Sequence, residues 1–298
     1  MSPWDLASVV LKLLTLLSTA VVLGGGFSLF FLAPREQKME TNILSYMLMG
    51  AGTGIVVTVL FFLAQIGGVN QAGLSGVFDI QIGGILAQSS LGYACGLRLL
   101  GFTSVFAIPL LTAWYNVTAN KTSAIVCVVL VYSFIVLLLG SPFSLYGHVA
   151  ELGVVARLAI PLHVVAVSWW IGSLFPLLLA FRMEDGDSLH TLMDKFGQLA
   201  AYIVGTLVLT GAYLTIRILE SPNDFFQTSY GSSLLLKLVG VAGLLLLAAS
   251  NKFFIVPNLD RAKCVGHLRS SISLEIMVAV LVIGTTAYFT TVVGITHG

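Results

Sequence analysis

The sequence is short of charge. Lys and Arg together number 14 and Asp and Glu 13 in 298 residues, 9% charged against 57% apolar, with a net charge of +1. So few polar groups cannot cover a soluble surface of this size, so the chain is read against a lipid solvent. There is no basic surface for nucleic acid. Cysteine is equally scarce: Cys95, Cys127 and Cys264 stand far apart without paired spacing, which excludes a disulfide framework and a thiolate metal knuckle. A nucleophile triad, a phosphate-binding glycine loop, a carboxylate pair and a methionine-rich metal motif are also missing, and Met47, Met49 and Met277 are scattered. A non-enzymatic role is expected, with a haem redox role left open, and any transport would draw on an ion gradient, a metal gradient or ligand exchange.

What the sequence has is long apolar runs. Mean hydropathy is +1.00. Eight stretches reach the roughly 20 residues that a helix needs to cross a bilayer core. They lie near residues 6–33, 43–65, 86–113, 122–140, 153–181, 191–218, 231–255 and 270–294. The fold class is therefore an all-α membrane protein of eight transmembrane helices. The first run exceeds the h-region of a signal peptide and Lys12 is its only early cation, so it is expected to stay in the mature protein. Arg35, Lys38, Lys121, Arg182, Lys195, Lys252, Arg261, Lys263 and Arg269 gather in or beside the connections after the odd-numbered helices. The alternate connections, 66–85, 141–152 and 219–230, are almost free of Lys and Arg. The positive-inside rule then places both termini and these basic-poor connections outside, the periplasm of a bacterium, with His148 and His297 there and His190 and His267 in the cytoplasm.

An internal repeat organises the chain. "QSSLGYACGLRL" (88–99) aligns without gaps on "QTSYGSSLLLKL" (227–238), pairing Gln88 with Gln227, Gly92 with Gly231 and Arg98 with Lys237. Ser28-Leu29-Phe30 likewise matches Ser173-Leu174-Phe175. Two parallel four-helix repeats are expected, residues 1–141 and 142–298. The histidines all fall in the second repeat, which is where a metal site is expected.

Polar residues inside apolar helices mark candidate sites, because each needs a partner or an aqueous pocket. His163 should lie on the order of 10 Å below the outer edge of the fifth helix, with Arg98 and Lys237 at similar depth. Lys12, Arg157 and Arg217 have stems long enough to snorkel. The His163 side chain is too short for that. It either hydrogen-bonds a neighbouring helix or binds a metal or haem, for which neutral imidazole is a common donor. Trp170 lies two turns deeper on the same face, and one of the mid-span pair Trp169–Trp170 suits a cavity wall while the other fills space. Glu275, inside the last helix from the inner end, should pair with Asn251 or Lys252 as a structural tether.

These residues carry a resemblance. "GH" at Gly147-His148, "LH" at Leu162-His163, "WWIGSLFPLLL" (169–179), "SYGSSLLLK" (229–237), "ASNKF" (249–253) and "SISLEIMVAVL" (271–281) resemble the copper resistance protein D (CopD) family, as does "SSLGYACGLRLL" (89–100) in the first half. The resemblance implies an eight-helix bacterial inner-membrane protein of copper uptake or tolerance, working beside a periplasmic copper-binding protein, CopC. It places His148, His163, Trp170, Gly172, Tyr230, Lys237, Asn251 and Glu275 at motif positions; the usual Gly-Gly after the tryptophan is Gly172-Ser173 here.

Three functions stay open at this point. Copper, as Cu(I) or Cu(II), would be held by His148, His163 and His297, with Trp170, Gly172, Tyr230, Lys237 and Arg98 around them. Arg98 and Lys237 would repel a bare cation unless Glu151, Asp79 or Asp224 neutralises them. The same two cations would suit the propionates of haem b in a redox protein. In the third function the chain is a membrane anchor that docks a CopC-like protein.

Overall fold

The computed structural model describes residues 2–32, 37–145, 153–183, 186–219, 221, 223–259 and 262–293. Among them the helices are α1 (Pro3–Phe27), α2 (Gln37–Asn70), α3 (Ile80–Ala87), α4 (Ser90–Ser104), α5 (Ala107–Val117), α6 (Lys121–Gly140), α7 (Val154–Met183), α8 (Gly186–Ile218), α9 (Asp224–Gln227), α10 (Ser229–Ser250) and α11 (Ala262–Tyr288). Short π-helical or 3-10 turns link several of them, and no strand occurs among the described residues.

Eight spans among the described residues are long and apolar enough to cross a bilayer: Pro3–Phe30, Gln37–Asn70, Ser90–Val117, Lys121–Ser144, Val154–Arg182, Asp187–Ile218, Ser229–Asn258 and Cys264–Val293. The expected eight-span, all-helical architecture is thus observed. Several ends run past the apolar stretch because capping side chains continue the helix. At the first, Ser2 Oγ accepts from Asp5 N–H and the Asp5 carboxylate accepts from Ser2 N–H, a capping box ahead of Pro3 at the first helical position.

Two local features depart from simple spans. The third span is broken between α4 and α5, where Ile108 N–H turns back to the Val105 carbonyl. Pro109 is the cause: it has no N–H for the Val105 carbonyl, and its ring clashes with the turn behind it. The connection 66–85 holds a further short helix, α3, capped by Asp79, whose Oδ1 accepts from the Gln81 and Ile82 amides.

The bundle is assembled around α1 and α7. These pack on each other, α2 on α1, α8 on α7, and α11 on α1, α7 and α10. Their backbones touch: a Cβ on Gly24 would lie 2.3 Å from Gly172 backbone atoms, and one on Gly172 only 1.8 Å from the Ala20 carbonyl oxygen. Such close approach between small residues is how helices associate in lipid, where apolar burial alone provides little drive. Hydroxyls and a ring N–H complete the seam. Tyr46 OH donates to the Gly172 carbonyl at 3.1 Å, Tyr132 OH to Leu23 at 2.6 Å, and Trp169 Nε1 to Tyr132 OH at 3.0 Å.

Burial falls away from this seam. Of the most apolar window in each span, 56% is buried on α7 against 11% on α8 and on the span starting with α10. Leu209, Ile216 and Leu246 are each more than 70% exposed. On these outer helices the apolar face is turned toward lipid.

Candidate functional site

His163 sits on the face of α7 that meets α8. Its Nδ1 lies 3.0 Å from Thr210 Oγ1. Gly211 makes room for the ring, since a Cβ there would stand 3.3 Å from His163 Cε1. Thr210 Oγ1 also lies 2.7 Å from the Thr206 carbonyl, which can take its one hydroxyl hydrogen. In the tautomer where Thr210 donates there, it accepts from Nδ1 and Nε2 keeps its lone pair; the other tautomer reverses the roles at His163. Fixing one imidazole nitrogen as donor is how a protein prepares the other as a metal ligand.

The tryptophans divide. Trp169 is stacked on Phe27, ring centroids 5.6 Å apart, besides its bond to Tyr132. Trp170 is buried and lines a cavity of about 290 Å³ between α7, α8, α10 and the last span. That cavity does not include His163; it includes Met193, Asp194, Asn251, Lys252 and Glu275. Gly172 serves the contact with α1.

Tyr230 and Lys237 meet at Phe289: the Tyr230 ring stands edge-on to it at 5.2 Å and the Lys237 ammonium lies 5.9 Å from its centroid. Arg98 lies 4.9 Å over Phe143, and Lys12 Nζ donates to the Thr290 carbonyl at 3.1 Å. Two of the acidic residues expected near Arg98 and Lys237 are among the described residues. Asp79 is taken by its own helix cap and by Asn70, and Asp224 by the Ser221 amide, because a carboxylate beside free N–H groups at a helix start is satisfied locally first.

Asn251 Nδ2 donates to Glu275 Oε1 in the buried interior. Lys252 turns instead to the Gly197 carbonyl at 2.9 Å.

His148, His297 and Glu151 lie outside the described residues. Among the described residues no group of three His, Cys, Asp or Glu is placed to hold a metal ion. A haem on two histidines does not fit them either. His190 is 20 residues from Thr210 along α8, about 30 Å, and His267 lies toward the opposite end of α11 from Phe289, beyond the cavity. Thr210 and the cavity residues Met193 and Asp194 are additions that motif matching passed over. Thr206–Thr210–Gly211, a hydroxyl stripe on an apolar helix, was the available signal.

Eight apolar spans closing over a few buried polar contacts define a polytopic helix-bundle membrane protein. Residues 190–289 match the family model described as Copper resistance protein D, so the family resemblance seen in the motifs holds over that region. Copper resistance protein D of Pseudomonas syringae pv. tomato is 29% identical over 145 residues, 44% of this chain and 46% of that protein. Copper transport protein CutJ of Bacillus subtilis (strain 168) is 27% identical over 161 residues, 53% of this chain and 29% of that protein. The matches thus span less than half the length of either relative. No solved structure matches the chain. Thr210, Tyr230, Lys237, Asn251 and Glu275 fall inside the family match, whereas His148, His163, Trp170 and Gly172 precede it.

Proposed function

We propose that this chain is a copper-handling protein of a bacterial inner membrane that admits copper from the periplasmic side, with His163 Nε2 as the inner ligand of its path. The observation that supports the proposal is the His163–Thr210–Thr206 hydrogen-bond chain, read with Nδ1 as the donor and Nε2 as the lone-pair atom. The printed names of the two relatives and the family match on residues 190–289 support copper as the cargo. His148 and His297 are, by their place in the sequence, the outer ligands, and a CopC-like protein is the donor that would meet them.

The Lys237 charge, placed by the helical rise at a depth similar to that of His163, weakens metal binding there. A conducted ion needs a site it can leave, so a weak ligand set suits transport. The distribution of basic residues favours both termini in the periplasm, and a reporter active only in that compartment, fused after His297, tests the orientation. Two four-helix repeats, 1–141 and 142–298, form the frame of the proposal. In its favour, Gly92 and Gly231 both face a carbonyl oxygen of the preceding short helix, within 2.2 and 1.9 Å of an added Cβ, and Arg98 and Lys237 each lie over a phenylalanine.

The decisive experiment measures copper accumulation and binding at equal protein level. His163→Ala is expected to lose both, while His190→Ala and His267→Ala keep both. Unchanged accumulation in His163→Ala would leave the chain as a docking anchor with a merely structural histidine.

A further inference from the structure

The cavity beside Trp170 holds a second polar centre. Glu275 is 3% exposed and Asn251 7%. The carboxyl receives one hydrogen bond among the described residues, from Asn251 Nδ2. Asn251 Oδ1 is buried and has no donor among the described residues. A carboxylate in this position would be a buried charge held by a single neutral donor, beside an amide oxygen that also lacks its partner. Both are costly in a helix bundle. One proton removes both costs. As an acid, Glu275 offers an O–H that Asn251 Oδ1 can accept while Asn251 Nδ2 continues to donate to Oε1.

We propose that Glu275 and Asn251 form a proton-binding site reached through this cavity, with Glu275 as the carboxyl that takes up and releases the proton. The bond formed is O–H on the second carboxyl oxygen and the bond broken is an O–H of a hydronium ion entering the cavity, which leaves as neutral water, so the carboxyl changes from −1 to neutral. The cavity supplies a route, because its lining runs from Glu275 to the exposed residues Asp194 and Phe253 at the end where the basic connections gather.

The surrounding charges leave this chemistry to Glu275. From α8, Asp194 stands at the exposed mouth and accepts from Gln198. On the π turn after α10, Lys252 is tied to the Gly197 carbonyl. The residues that α7 gives to the lining, Trp170, Leu174 and Leu177, do not ionise, and Arg182 is exposed at its end. On α11 itself His267 and Arg269 lie eight and six residues away, about 9–12 Å. Lys12 of α1 reaches Thr290, 15 residues from Glu275, about 22 Å, and Asp5 caps the start of α1. Proton binding here does not depend on what His163 holds.

Infrared difference spectra of the purified full chain test the proposal. Wild type is expected to show a protonated-carboxyl C=O band at neutral pH that shifts promptly in D₂O and is lost at high pH. Glu275→Gln should lack that band yet melt at the wild-type temperature, because its amide can donate to Asn251 Oδ1 as the acid does. Absence of the band at neutral pH, from an ionised carboxylate alone or with a bound metal cation, overturns the proposal, as does a band that survives Glu275→Gln or does not exchange in D₂O. If Glu275→Gln fails to fold, Asn251→Leu decides: the wild-type band must move to higher frequency, and an unmoved band overturns the proposal.

Discussion

Replacing Thr210 with valine separates a ligand from a tether. Valine keeps the shape of threonine and removes the hydroxyl that lies 3.0 Å from His163 Nδ1. Between membrane helices such a hydrogen bond averages about 0.6 kcal/mol and reaches about 1.7. The fold should therefore survive, with a modest fall in melting temperature. Metal affinity should respond more strongly, because losing the group that orients a ligating imidazole typically costs about 10–100-fold. Competitive Cu(I) titration of the purified variant in detergent measures this directly, and Thr210→Ser, which restores the hydroxyl, should return affinity to within about twofold of wild type, far short of the loss from an orienting group. Nitrogen NMR of labelled histidine provides the internal check: wild type should show the proton on Nδ1 and Thr210→Val a mixture. Unchanged copper affinity in Thr210→Val, with the tautomer demonstrably released, would refute the argument from hydrogen bond to ligand.

Two further outcomes follow from the packing and charge. Gly172→Ala places a methyl 1.8 Å from the Ala20 carbonyl oxygen, so α1 and α7 must move apart. Overpacking of this kind costs about 1–3 kcal/mol; thermal unfolding in detergent should show a clear drop, and an unchanged midpoint would mean that the two backbones do not touch there. Lys237→Met removes the positive charge that the proposal sets against metal binding at His163 and keeps most of the stem. Copper binding should tighten about tenfold, the equivalent of ~1.4 kcal/mol, by the same titration, and weaker binding would make the lysine a partner of the site rather than its counterweight.

All eight spans were legible because bilayer thickness and apolar length are linked through the helical rise alone. Hydropathy does not register an interruption by proline, so the break before Pro109 passed unnoticed although the residue was in plain view. α3 hid in a connection for the same reason: Asp79 followed by Ile80-Gln81-Ile82 is a cap and an amphipathic turn too short to stand out from its surroundings. At the candidate site, His163 was visible as a short polar side chain in an apolar helix. Thr210 was not, because a partner 47 residues away depends on how α8 is rotated against α7. Trp170 shows the other limit. Its spacing of seven from His163 puts both on one face of α7, but α8 is the neighbour at one level and the cavity of α8, α10 and α11 at the other. The Asn251–Glu275 contact was foreseen since few groups in that region can answer a buried acid. The cavity around it could not be read from one strand of sequence.

X-ray absorption of the copper-loaded protein is the most direct test of His163 as a ligand. Wild type should give the outer-shell scattering of coordinated imidazole, and His163→Ala should lose the share of one imidazole while keeping its fold. Superimposable spectra from the two proteins, at equal copper content, would contradict the assignment of His163 Nε2 to the copper path.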